Sequence, residues 1–361
     1  MASGGAATGG GPHLPSALPG RPGFDPAVLA RGRLLLALAD DARGRDAADE
    51  ARTLALRAAA DFENGVRLSG RHSAPSAVRC RALLDLAEAR AVAAGDTGHP
   101  GVLQALRQAV EVVRDQGPEL RVPALRRLAE AHSARYRHTA EPAELVAADA
   151  LFTQAESLVE RDDPVRAELL AGRGEALVAR AEHAGELAVA TEAVRVLRAA
   201  LALTPGSDPH LADRQLLFGR ALRHHHGAGG TPTDLHEAEW VLARAARGAR
   251  DDRTAALAWL ERGDVLLGLA GRAGAPEWLD RASESYHHAV RSADRAGAPL
   301  LAARAHHQRG VVLERTAGPE HALESYRTAW TLWQRAGAAQ GPQAQSAQST
   351  YERMTALGGT D

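Results

Sequence analysis

Between Ala129 and Ala329 a small residue is followed five times, at a near-constant interval, by a triplet of small, large and small side chains. The small anchors are Ala129, Gly174, Gly219, Gly263 and Gly310, spaced 45, 45, 44 and 47 residues apart. The triplets keep step: Ala148, Phe152, Ala155; Ala193, Leu197, Ala200; Ala238, Leu242, Ala245; Ala282, Tyr286, Ala289; Ala322, Tyr326, Ala329. Members of a triplet lie four and then three residues apart, so they share one face of a helix. A glycine or alanine lets a paired helix come close, and the bulky middle side chain fills the gap that remains. Neither helix can bury that face alone. A recurrence of about 45 residues therefore predicts a solenoid of stacked helix pairs.

In the first four repeats the anchor precedes its triplet by 19 residues, and in the last by 12. The difference of seven is about two helical turns, which lengthens each helix of a pair by one turn without rotating its packing face. First helices are expected to begin near Ser73, Pro118, Asp162, Ser207, Asp251 and Ala298. Asp163-Pro164 and Asp208-Pro209 each place an N-cap before a proline at the first helical position. The pattern weakens before Pro118. There Ala87 with Leu106, Val110 and Val113 marks one degenerate pair, and Ala55, Ala59 and Phe62 mark another over residues 27–68. Residues 1–23, rich in Gly and Pro and without the build of a signal peptide, are expected to be disordered. The array spans 24–337, firm over 117–337 and degenerate over 24–116, and a capping helix at 345–357 sits in the closing segment 338–361.

Composition supports helices throughout. Ala, Leu, Arg and Glu dominate, and no β-branched run interrupts them. The chain contains no Lys and no Ile, so all 43 basic residues are Arg. Without lysine there is no Walker-A lysine, no kinase strand lysine and no Schiff-base or Ser-Lys chemistry. A net charge of −2 with interleaved signs leaves no basic footprint for nucleic acid and no polybasic membrane patch. Cys80 stands alone, which excludes a disulfide framework and fits a buried thiol in a reducing cytoplasm.

The anchor–triplet order resembles the tetratricopeptide repeat (TPR), whose signature is a small residue in the first helix and Ala, aromatic, Ala in the second. Phrases such as TPTDLHEA at 231–238 look like the long repeats of actinobacterial signalling proteins, arrays attached to CHAT proteases or to regulatory ATPases. No segment outside the array is left to fold as such an effector. The resemblance implies a right-handed α-solenoid of about seven antiparallel helix pairs plus a C-terminal capping helix. It also implies a concave groove lined by the residues three before and one after each anchor. Those are Arg126, Ala171, Leu216, Leu260 and His307, with Glu130, Glu175, Arg220, Asp264 and Val311; Arg223, Arg304 and Glu314 lie further along the face. Members of the family that bind chaperones clamp a C-terminal carboxylate with Lys and Asn, which this groove lacks.

Other clusters have structural explanations. His224, His225 and His226 point about 100° apart on a helix and cannot converge on one metal ion; imidazoles near a helix C-terminus suit its dipole instead. His287, His288, His306 and His307 fall on neighbouring helices with no carboxylate or thiol at ligand spacing, which leaves a zinc-dependent helical hydrolase as the weakest reading. GAGGT at 227–231 follows a helix and lacks a lysine, so it reads as a turn. Neither GxSxG, HExxH nor an EF-hand loop occurs. Trp259 lies one turn before Gly263 and is expected in the core, with Trp330 and Trp333 on the capping helix.

Together these readings describe a non-catalytic interaction protein of the cytoplasm. It is expected to bind a protein or peptide in the groove, to need no cofactor, and to be able to pair with itself. Arg126, Arg220 and Arg223 would meet carboxylates, and Glu130, Glu175 and Asp264 basic groups. Charge reversal at Arg220 and Arg223 is expected to weaken capture without lowering the melting temperature. The alternative is a peptide-sensing subunit of a split signalling system, acting on a separately encoded protease, ATPase or transcription regulator. Whichever holds, Phe152→Ala should cost about 3–5 kcal/mol of stability. Urea denaturation checks it, and an unchanged midpoint would contradict the alignment.

Overall fold

The computed structural model describes residues 27–273, 276–337 and 343–358, and among these every regular element is a helix. The segment 1–23, expected to be disordered, lies outside the described residues. The chain divides into two units, Met1–Asp115 and Gln116–Asp361. The first contains α1 (Ala27–Gly44), α2 (Ala48–Arg71), α3 (Ser76–Ala94) and α4 (Pro100–Val112). The second contains α5 (Pro118–Thr139), α6 (Pro142–Glu156), α7 (Pro164–Ala184), α8 (Leu187–Ala202), α9 (Leu211–Gly227) and α10 (Thr233–Gly248). It continues with α11 (Asp252–Ala273), α12 (Pro276–Arg295), α13 (Pro299–Thr316), α14 (Pro319–Arg335) and α15 (Ala344–Ala356). Within the second unit each helix packs on the next, and first helices also touch across a repeat: α7 on α9, α9 on α11, α11 on α13. The second unit is thus an α-solenoid of five helix pairs closed by α15, and the first unit holds two further helix pairs.

Every triplet residue is buried, none more than 2% exposed. The anchors explain why they are small. A Cβ added at Gly174 would lie 2.4 Å from Leu197, and at Gly219 2.4 Å from Leu242. At Gly263 it would meet the Tyr286 ring at 2.4 Å, and at Gly310 the Tyr326 ring at 2.6 Å. Phe152 uses a glycine of the following first helix as well, since a Cβ at Gly172 would sit 2.6 Å from its ring.

The seven-residue difference is partitioned as turn arithmetic demands. In α5, α7 and α11 the helix runs ten residues beyond the anchor, against six in α13. In α6, α8 and α12 it starts six residues before the triplet, against three in α14. One turn is added on each side of the loop, and the packing face keeps its phase.

Two local expectations change. The first pair packs through Ala58, Phe62 and Gly65, all buried, with Gly32 as anchor under the Phe62 ring. The expected set of Ala55, Ala59 and Phe62 is buried too, but it puts the ring one place late. At α9, the Asp163-Pro164 arrangement is not repeated. Asp163 accepts the Val165 N–H at 2.8 Å and caps α7. Asp208 instead closes a turn ahead of α9, accepting the His210 N–H at 2.8 Å and Arg214 at 2.9 Å.

At the C-terminal end Trp333 is 1% exposed, and its Nε1 donates to Thr350 Oγ1 on α15 at 3.2 Å. Trp330 meets Tyr351 at 5.1 Å between ring centroids. Trp259 stacks on His288 at 4.8 Å, joining α11 to α12.

The contrast between two glycines of α11 tests the packing. Gly263→Ala should destabilise by about 1–3 kcal/mol, the usual cost of overpacking. Gly271→Ala, where an added Cβ meets nothing within 4 Å, should be neutral or stabilising by about 0.4–1 kcal/mol. Thermal melts of the two variants decide it.

Candidate functional site

The residues expected to line a groove form a ladder of ion pairs along successive first helices. Arg126 on α5 donates to Glu168 on α7 at 2.6 Å, and Arg137 lies 3.7 Å from Glu175. Glu182 on α7 accepts from Arg220 on α9 at 3.1 Å. Arg223 on α9 donates to Glu261 on α11 at 3.0 Å, with Arg220 3.7 Å from the same carboxylate. Arg304 on α13 donates to Asp264 on α11 at 2.8 Å and stands 3.8 Å from Glu261. Arg353 on α15 donates to Glu314 on α13 at 2.9 Å. Partners lie about one repeat apart in sequence, so each rung ties one first helix to the next.

The rungs differ in solvation. From α9 to α13 they are sunk into the protein: Glu261 is 3% exposed. Its burial acts to raise the carboxyl, but the Arg223, Arg304 and Arg220 guanidiniums win and hold it below the ordinary range. Burial prevails at Asp264, which is held above its usual value despite Arg304. Tyr286 donates to Asp264 at 2.8 Å, and Tyr326 to Glu314 at 2.6 Å. Burial, with the adjoining carboxylate, pushes both phenols upward, so they stay protonated donors. The large triplet residue thereby gains a polar tie to its own first helix, and that acid also takes the arginine of the next.

Between α5 and α7 the same face is open. The Arg126, Glu130, Glu168 and Glu175 side chains are 35, 49, 49 and 55% exposed. Glu130 is half exposed yet crowded. Burial foremost, then the neighbouring Glu168 and Glu175 carboxylates, raises its carboxyl against the pull of Arg126 and Arg127.

Several expected lining residues do not line a surface. Leu216 and Leu260 are buried, at 8 and 1% exposure, because the face three before the anchor turns into the neighbouring pair in α9 and α11. Ala171 and Val311 are half-buried. His307 turns to the capping helix, its Nδ1 2.9 Å from Thr350 Oγ1. Burial, and then Arg353, lowers His307 to about 4, so the imidazole is neutral at ordinary pH. Arg220 and Arg223 hold Glu261 in place, which corrects the expectation that reversing their charge leaves stability untouched. Two carboxylates introduced there would face a buried third.

Glu168, Glu182 and Glu261 escaped the groove rule, which looked at anchor offsets. Their signal is the opposite charge about 40 residues away. Among the described residues no three His, Cys, Asp or Glu side chains gather to hold a metal ion. His224 lies 3.7 Å from Glu182, His225 2.8 Å from Asp234, and His226 3.0 Å from the Thr231 carbonyl. Thr231 donates twice to the Asp234 carboxylate at the start of α10, from its N–H and from its hydroxyl, both at 2.7 Å, so GAGGT is the turn that leads into that helix.

No protein-family model and no curated protein matches this chain. Among solved structures it is similar to a signal transduction ATPase with numerous domains (STAND) that carries a tetratricopeptide repeat sensor, from Pyrococcus horikoshii. Identity is 13%, with 86% of this chain and 43% of that chain covered and a TM-score of 0.51. The chain therefore spans less than half of the STAND protein's length. Lower likenesses are to the TPR2AB domain of yeast Sti1 in its pHSP90 complex (14% identity, 90 and 99% covered, TM-score 0.31) and to yeast Tom70 (13%, 86 and 60%, 0.36). The likeness to the STAND protein shows the fold: a helical array of the tetratricopeptide-repeat type.

The buried rungs carry a pH signature. A carboxylate whose folded pKa lies below its unfolded value contributes stability at neutral pH and loses it as pH falls through the folded value. Glu261→Gln should cost about 3–5 kcal/mol at pH 7, because three guanidiniums lose their counter-charge. Its stability should then fall less steeply than the wild type's as pH drops below the ordinary 4.5. Urea titrations across pH measure both effects.

Proposed function

We propose that this chain is a non-catalytic protein–protein interaction scaffold of the cytoplasm, and that the open α5–α7 stretch of the first-helix face receives a basic segment of a protein partner. The observation that supports the reading is the contrast in solvation along the ladder. From α9 to α13 the charges are engaged with one another inside the protein. At α5 and α7 the three carboxylates Glu130, Glu168 and Glu175 share an exposed face, and Glu130 is raised by its burial foremost and only then by the two neighbouring acids. A partner's arginine or lysine placed among them would form charge-assisted hydrogen bonds. Arg126, already donating to Glu168, would orient the face rather than grip the ligand. Arg220, Arg223, Asp264, Arg304 and His307 serve the scaffold in this reading.

A second reading follows from the likeness to the STAND ATPase, whose description assigns its repeats to a sensor. On that model the scaffold senses a peptide and acts on a separately encoded protease, ATPase or transcription regulator. Such a gene beside this one would favour it.

The test is capture from lysate of the native host by the wild type and by Glu130→Gln/Glu175→Gln, with quantitative mass spectrometry. Both side chains are about half exposed, so the melting temperature should stay within the small range of surface substitutions. The expected result is a set of proteins held by the wild type and lost from the variant. Identical capture by both would contradict the assignment.

A further inference from the structure

An arginine stands immediately before the anchor in three repeats: Arg173, Arg262 and Arg309. Across the seam from it runs the second helix of the preceding pair. The position that faces it there lies three residues before that helix's large triplet residue. On α6 this is Asp149, which accepts Arg173 Nε at 2.8 Å. On α10 it is Glu239, which accepts Arg262 at 3.0 and 2.6 Å. Where the residue before the anchor is Phe218, the facing residue on α8 is Val194, and the two share one apolar cluster. At three seams the two positions match in chemistry.

At the fourth seam they do not. By the same register the counterpart of Asp149 and Glu239 on α12 is Ser283, a neutral side chain too short to stand in for either. Arg309 Nε is buried and makes no hydrogen bond, and neither does the buried Nδ1 of His306, one turn earlier on the same helix. Buried donors of this kind are normally paired. His287 and Arg291 come to the same seam from α12. Burial, then Arg309, lowers the His306 imidazole, and His287 is lowered by burial, Arg309, His288 and Arg291. Asp294, about three turns beyond Ser283 along α12, is the carboxylate that acts on His306. The seam collects cationic and neutral donors where its counterparts hold an acid.

We propose that Arg309, with His306 and His287, receives an aspartate or glutamate side chain of a protein partner, entering where Asp149 and Glu239 serve Arg173 and Arg262 from within the chain. His287 and Arg291 are exposed and Arg309 is half-buried, so an incoming carboxylate first meets His287, Arg291 and the outer part of Arg309, and reaches the covered Arg309 Nε and His306 Nδ1 when those side chains shift. The site is separate from the acidic α5–α7 face and prefers the opposite charge; it stands or falls without Glu130 and Glu175.

The probe is a fluorescein-labelled hexaglutamate peptide, read by anisotropy at low salt against a hexaglutamine control and against free glutarate as competitor. Hexaglutamate should bind and hexaglutamine should not. Arg309→Gln and Ser283→Glu should each weaken binding by about tenfold, the scale of one charge-assisted hydrogen bond. Ser283→Glu, which supplies the acid from within, should also raise the melting temperature, and that gain should vanish in the Arg309→Gln background. Unchanged hexaglutamate affinity in both variants, or no thermal gain from Ser283→Glu, would overturn the proposal. Glutarate binding as tightly as the peptide would overturn the assignment to a protein segment.

Discussion

Everything in the second unit depends on how near two helices can come at one point. At Gly263 and Gly310 a tyrosine ring occupies the space a Cβ would need, and at Gly174 and Gly219 a leucine does. That contact sets where the first helix lies against the second. It also places the charged residues that flank the anchor, since Asp264 can reach the Tyr286 hydroxyl only because the ring lies across Gly263. The ladder is therefore downstream of the packing. Close approach fixes the pair, and the acids and arginines then lock one pair to the next.

The division of labour along the ladder follows from solvation. Exposed rungs such as Arg137 with Glu175 contribute little to stability, being screened and free to swing. The buried rungs around Glu261 are costly to desolvate and costlier to break, so their charges are committed to the fold. The rungs between α5 and α7 stay open to solvent, and at the separate α12–α13 seam the buried Arg309 Nε makes no hydrogen bond.

The anchors, the triplets and the seven-residue difference were legible because close packing and helical period leave a mark on every repeat. The capping helix was legible for a similar reason: Trp333 needs both a cover and an acceptor, and Thr350 supplies the latter. The first pair was read one place out of phase, since Ala55, Ala58 and Ala59 are all small and spacing alone does not choose among them. The candidate site was legible only in part. Anchor offsets located Arg126, Glu130, Arg220 and Asp264 on the right helices, but whether a charge faces water or a buried partner depends on the next repeat. Glu261 at one position before Arg262 looks no different in sequence from Glu130 one position after Ala129. What separates them is how deeply each neighbouring pair encloses them.

A double-mutant cycle between Gly263 and Tyr286 tests the central claim most directly. If the glycine is required because the ring lies on it, the destabilisation caused by Gly263→Ala should disappear once Tyr286 is trimmed to alanine, giving a coupling of about 1 kcal/mol or more. An equal cost of Gly263→Ala in both backgrounds would show that the small anchor answers to something other than the ring.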